Sequence, residues 1–75
     1  MARIQDVGIG NYIRNPRGGR ESAGVRISDI LKVMNNDGNT FRCYPVKSVN
    51  SGEATLETEV YYNIPLDAQV DQATI

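Results

Sequence analysis

Four arginines, Arg14, Arg17, Arg20 and Arg26, fall within thirteen residues and are interleaved with Pro16, Gly18, Gly19 and Gly24. A guanidinium presents a planar fork of donors that matches a carboxylate or a phosphate, and neighbouring glycines let the backbone come close to a partner. Further along, Glu53, Glu57, Glu59, Asp67 and Asp71 stand without any basic residue from Ser48 onward, so that stretch carries −5, while residues 1–26 carry +3 and the chain as a whole only −1. Charge sorted in this way lets one copy attract another, or presents unlike surfaces to two partners.

Groups suited to catalysis are few. Histidine is absent, which removes the usual proton shuttle near neutral pH, Ser-His and Cys-His nucleophile pairs, and the common zinc ligand sets. Cys43 is the single cysteine, so no intrachain disulfide can form, and its type reads as a small buried apolar side chain in a reducing compartment. Glu57 and Glu59, two apart on a strand, could raise each other's pKa for acid-base work, but the same pair also makes a solvated face that discourages edge pairing. Gly8-x-Gly10 lacks the rest of a dinucleotide fingerprint, and Arg17-Gly18-Gly19-Arg20 lacks the Lys-Ser/Thr of a phosphate loop. Around Asp37, the asparagines Asn35, Asn36 and Asn39 lack the glycine spacing and terminal Glu of a calcium loop. The expectation is a protein that is not an enzyme, with no catalytic residues, metal, cofactor or small-molecule substrate.

The elements that must hold these charges read mainly as strands. Val7, Ile9 and Ile13 share one parity, with Gly8, Gly10 and Tyr12 on the other, which predicts a short strand with one nearly bare face. Residues 14–24 hold no large apolar side chain and read as an Arg/Gly loop. Val25 to Met34 fits two patterns: a strand that enters a hairpin, pairing Leu31–Met34 with Thr40–Cys43 across the Asp37-Gly38 turn, or a short helix near residues 28–35 capped by Ser28. Thr40 to Val46 is aromatic and β-branched, with Pro45 near a sheet edge or strand end, and Asn50, Ser51 and Gly52 form a turn. Ala54 to Tyr62 alternates without a break and predicts one strand, with Glu57, Glu59 and Tyr61 outward. The tail, residues 66–75, fits either a strand or one side of a helix.

The expected fold is a mainly β single domain over residues 1–75, a small sheet or partly open barrel of four to five strands. At 75 residues such a domain buries only about 60% of its unfolded surface, so association is a natural source of added stability. No apolar run approaches the roughly 20 residues of a membrane span, and the N-terminus lacks the pattern of a secretory signal, which points to the cytoplasm or a particle assembled there.

Two functions are compatible with these features. In the first the chain is a non-catalytic structural or adaptor subunit acting by self-association or on another protein, as a repeated component of an assembly such as a virus or phage particle. There Arg14, Arg17, Arg20 and Arg26 reach Glu57, Glu59 or Asp67 across an interface that Ile9, Ile13, Leu66 and Val70 help to bury. In the alternative the Arg14–Arg26 loop tracks nucleic acid, with Tyr12, Phe41 and Tyr44 as stacking surfaces.

Overall fold

The computed structural model describes residues 2–16, 20–22, 25–27 and 29–75, and of residues 20–22 and 25–27 it describes the backbone. Arg17, Gly18, Gly19 and Ser28 lie outside the described residues. The chain is mainly β, as the alternation of its apolar residues predicts, and the main sheet does not close into a barrel.

The N-terminal segment departs from the expected strand. After β1 (Ala2–Arg3) comes a single helical turn, α1 (Ile4–Val7), that buries Ile4 and Val7 on one side. Gly8 ends it at φ 87°, donating its backbone N–H to the Ile4 carbonyl, and the Asn11 side-chain amide donates to the Val7 carbonyl at 2.6 Å. Gly10, at φ 92°, makes a second left-handed position, and two such turns within three residues destroy the strand parity of Val7, Ile9 and Ile13. Only Ile13 enters a strand, β2 (Tyr12–Arg14), while Ile9 is left 58% exposed.

Two short strands, β3 (Arg20–Ser22) and β4 (Val25–Ile27), pair with each other, so part of the expected Arg/Gly loop is a two-stranded ribbon. The expected helix near residues 28–35 is corrected: residues 30–37 form β5 (Ile30–Asp37), and the hairpin alternative is the one adopted. Its turn leads into β6 (Thr40–Asn50), with Asp37 opposite Thr40 and Val33 opposite Cys43. The turn is closed by the Thr40 hydroxyl donating to the Asp37 carbonyl, with Gly38 at φ 69°. A bulge at Met34 lets the buried Leu31 and Val33 keep their inward parity despite the extra residue before the turn.

The predicted single strand over Ala54–Tyr62 is also corrected. It is split into β7 (Glu53–Leu56) and β8 (Tyr62–Pro65), both antiparallel to the same edge of β6. Leu56 pairs with Val46 and Tyr62 with Cys43, so residues 57–61 bulge out opposite Tyr44 and Pro45 alone. The Glu57 N–H still donates to the Pro45 carbonyl at 2.9 Å, but Pro45 has no N–H to return, and the partner strand leaves the ladder beyond that bond. The tail then forms β9 (Gln69–Val70), paired with β1, and β10 (Gln72–Ala73), paired with β2.

The resulting main sheet runs β10-β2-β5-β6, with β7 and β8 sharing the far edge of β6. Its inner face contributes Ile13, Leu31, Val33, Phe41 and Cys43 to the core, against which pack Ile4 and Val7 of α1 and Val70 of β9. Tyr62, Ile64 and Leu66 close the side of this cluster. The outer face carries the alternate residues Tyr12, Lys32, Arg42 and Tyr44, all half-buried.

Candidate interaction surfaces

Two ribbons leave the main sheet at the same end. The first lies in sequence between β2 and β5: Arg14 is opposite Ile30, the Asn15 backbone N–H donates to the Asp29 carbonyl at 2.7 Å, and β3 and β4 pair with each other apart from the main sheet, with Glu21 opposite Arg26 and Arg20 opposite Ile27. The backbones of Arg20 and Arg26 thus lie on a two-stranded ribbon, the first of them in a stretch that reads as loop from its polar, glycine-containing sequence. The second ribbon is the later half of β6. Beyond Pro45, which faces Leu31, β6 pairs only with β7, through Val46–Leu56 to Asn50–Glu53. Its tip has Ser51 at φ 55° and Gly52 at φ 80°, two left-handed residues whose twist suits a tight hairpin. Residues 47–53 are all exposed, Val49 among them at 50%.

Of the acidic residues beyond Ser48, Glu53 begins β7, while Glu57, Glu59, Asp67 and Asp71 occupy loops and turns rather than one strand face. Glu57 and Glu59 lie in the bulged segment 57–61, where a Glu57 carboxylate oxygen accepts the Glu59 backbone N–H at 3.3 Å. That segment also exposes Val60 and Tyr61. Asp67 is exposed in the turn between β8 and β9, and Asp71 is exposed between β9 and β10, where its carbonyl accepts the Arg14 amide. Within the chain Arg14 pairs with Asp29 at 2.8 Å, and it does so on the surface, where both side chains are more than half exposed.

The apolar residues expected at the contact divide. Ile9 is exposed, but Ile13 and Val70 are 0% and 3% exposed and serve the core of their own chain. This corrects their expected place in an interface, because the strand pairing of β2 and β9 turns both inward. Leu66 is half-buried against the same core, and its backbone N–H donates to the Asn39 carbonyl. Arg17 lies outside the described residues, and Arg20 and Arg26 are placed by their backbone alone.

Phe41 is likewise buried, at 7% exposure, and offers no stacking surface. Tyr12 and Tyr44 do lie on the outer face, and the register sets Lys32 between them, opposite Tyr12 on one side and Tyr44 on the other. Lys32 Nζ lies 5.7 Å from the Tyr12 ring centroid. Tyr61, from the bulged segment, meets Tyr44 edge to face at 6.0 Å, and the Arg42 guanidinium lies 4.3 Å over the Tyr61 ring. Hydrogen bonds to Tyr44 and then to Asp37, the latter at 3.0 Å, hold the Arg42 charge more firmly than in a free arginine, while its Nε is buried without a hydrogen-bond partner. Lys32, Arg42 and Tyr61 are the members of this group that sequence reading misses. The alternation Arg42, Tyr44 and Tyr12, Arg14 is visible along each strand, but only the register joins the strands.

Cys43 is fully buried, and desolvation pushes its thiol up to about 12, so it stays protonated and unreactive at neutral pH. Among the described residues no group of three or more His, Cys, Asp or Glu side chains is placed to hold a metal ion, and no helix is long and apolar enough to cross a membrane. Comparison with protein-family models, with curated proteins and with solved structures finds no match to this chain.

Proposed function

We propose that this chain is a non-catalytic structural or adaptor subunit that works by protein-protein association, as a repeated small component of a larger assembly such as a virus or phage particle. The observation that carries this reading is the pair of ribbons, β3–β4 and the β6–β7 extension, that leave the sheet at one end. A two-stranded ribbon in water is marginal at best, and it becomes stable when a partner covers one of its faces. The second ribbon has no large buried side chain beyond Val46, yet it keeps Val49 half exposed. Such an arm gains most from a neighbouring molecule.

Charge supports the same reading. The first ribbon carries Arg20 and Arg26 with Arg14 at its base, whereas Glu59, Asp67 and Asp71 are exposed elsewhere on the chain. Unlike patches at different places on one molecule favour head-to-tail contacts, which close into rings or extend into lattices. The reaction chemistry that could compete with this reading has little to draw on, since histidine is absent and the one thiol is buried and protonated.

Light scattering at low and moderate salt tests the proposal, with the native chain compared with an Arg17→Glu/Arg20→Glu variant. The expected result is a multimer that shrinks with added salt and is lost or reduced in the variant. A monomer at every salt concentration, unchanged by the substitutions, overturns it.

A further inference from the structure

The outer face of the main sheet carries a row of rings and cations that association through the ribbons does not require. Tyr12, Lys32 and Tyr44 form one cross-strand row over β2, β5 and β6, and Tyr61 continues it at 6.0 Å from Tyr44. Adjacent strands lie about 4.8 Å apart, so the row alternates ring and cation at the spacing of the strands themselves. Arg14 follows Tyr12 on the same face of β2, and Arg42 flanks the far end over Tyr61. Among the described residues α1 and the β1–β9 pair cover the opposite face of the sheet, while on this one Tyr12, Lys32, Arg42 and Tyr44 are half-buried and Tyr61 is exposed.

We propose that this face binds a short single-stranded nucleic acid, with bases stacked on Tyr12, Tyr44 and Tyr61 and phosphates drawn to Lys32 and Arg42. The rings select the occupant. An acidic protein segment would use the cations and make no use of the rings of Tyr12, Tyr44 and Tyr61. Unpaired bases use both kinds of group: each has a π-face for the rings, and each carries a phosphate for the cations. A small sheet with two or three exposed aromatics takes about two to three bases in this way, reading single strands because only there are base faces free. The pairing of Arg42 with Asp37 fits such a role as well, since it fixes the guanidinium plane against Tyr61 and stiffens the far end of the row.

Fluorescence anisotropy of the full chain with a labelled mixed-sequence 10-mer decides the question, using single-stranded DNA, single-stranded RNA of the same sequence and the corresponding duplexes at ~50 mM salt. The expected result is binding to one or both single strands, weaker binding to the duplexes, and an affinity that falls steeply with salt. Tyr44→Ala should weaken binding roughly 5- to 150-fold, the loss of one stacked base, while Tyr44→Phe keeps it. Lys32→Glu, an outer-face change that leaves the core untouched, should weaken binding and flatten the salt dependence. DNA and RNA arms of equal affinity indicate stacking and phosphate contacts alone, and a preference for RNA adds contacts to the 2′-hydroxyl. No binding at this salt, preference for duplex, indifference to Lys32→Glu, or displacement by poly-glutamate as effective as by unlabelled oligonucleotide each overturns the proposal.

Discussion

Strand β6 contains two regions that obey different rules. From Thr40 to Cys43 it lies between β5 and β8, and through Pro45 burial alternates strictly, with Phe41, Cys43 and Pro45 inward and Thr40, Arg42 and Tyr44 outward. From Lys47 to Asn50 the same strand has one neighbour, β7, and every residue is exposed. The backbone is extended throughout. What changes is whether a second strand and a core stand beside it, so the first half derives its stability from burial and the second from its pairing with β7. Pro45 marks the frontier, because the strand that would have covered both halves must detach where the N–H is missing.

The largest effect that can break this contrast is removal of a core ring. Phe41→Ala should cost about 3–5 kcal/mol, a loss comparable with the whole stability of so small a domain, and urea denaturation should find it largely unfolded. Val49→Ala, in the ribbon half, should change stability by less than ~0.5 kcal/mol. Equal costs at the two positions would mean that the ribbon packs on the chain's own core.

Next in size come the turns at the two ends of β6. Gly38 and Gly52 both have positive φ, 69° and 80°, and at neither would a Cβ meet another atom within 4 Å, so alanine there incurs only backbone strain, about 1–2 kcal/mol. For Gly38→Ala the strain should appear in global unfolding, because its hairpin is part of the sheet. For Gly52→Ala it should be relieved locally, as faster hydrogen exchange at residues 47–55 with little change in the urea midpoint.

A smaller effect is tied to pH. Burial holds the Cys43 thiol at about 12, above the ordinary thiol value, so the folded chain binds its proton more tightly than the unfolded chain does. The corresponding stability is fully present below the unfolded thiol's pKa and is lost progressively as pH rises from there towards 12. Thermal unfolding followed from pH 7 to 10 should therefore show a decline in the native chain that is shallower in Cys43→Ala, and a thiol reagent should label the native protein only at the rate of unfolding.

The same contrast explains what could be read from the amino acids. The β5–β6 hairpin is legible because Asp37-Gly38 is a turn signal flanked by segments that bury alternate residues, and core demand and local chemistry agree there. The Ser51-Gly52 turn is legible for its local chemistry alone. The single strand expected over Ala54–Tyr62 fails because its own alternation is intact; the cause of the break, Pro45, is in its partner. α1 is too short, at four residues, for a helical period to be counted, and only the left-handed glycines after it betray the change of path. The β3–β4 pairing has no such signal in its first half, since residues 15–24 hold no large apolar side chain whose alternation could be counted. On the outer face of the sheet, Tyr12 and Tyr44 are visible as candidates, whereas Lys32, Arg42 and Tyr61 join them only once register and the Pro45 bulge are known. Phe41 reads as a surface aromatic from sequence because parity along a strand says which residues share a face but not which face is inward.

The smallest expected effect lies in the ion pairs that border the two regions. Arg14 and Asp29 meet at 2.8 Å at the root of the first ribbon, yet their side chains are 62% and 53% exposed, and pairs of that kind contribute between nothing and about 1 kcal/mol. Asp29→Asn should accordingly shift the urea midpoint by no more than the equivalent of ~0.5 kcal/mol, and less still in moderate salt. Its consequence for association should be larger than its consequence for folding, because it releases Arg14 for a carboxylate on another molecule. Light scattering of the Asp29→Asn chain should then find larger or more salt-resistant multimers. If instead folding weakens and multimer size does not change, the pair belongs to the packed half of the molecule, and the boundary between core and ribbon lies further along the first hairpin than Arg14.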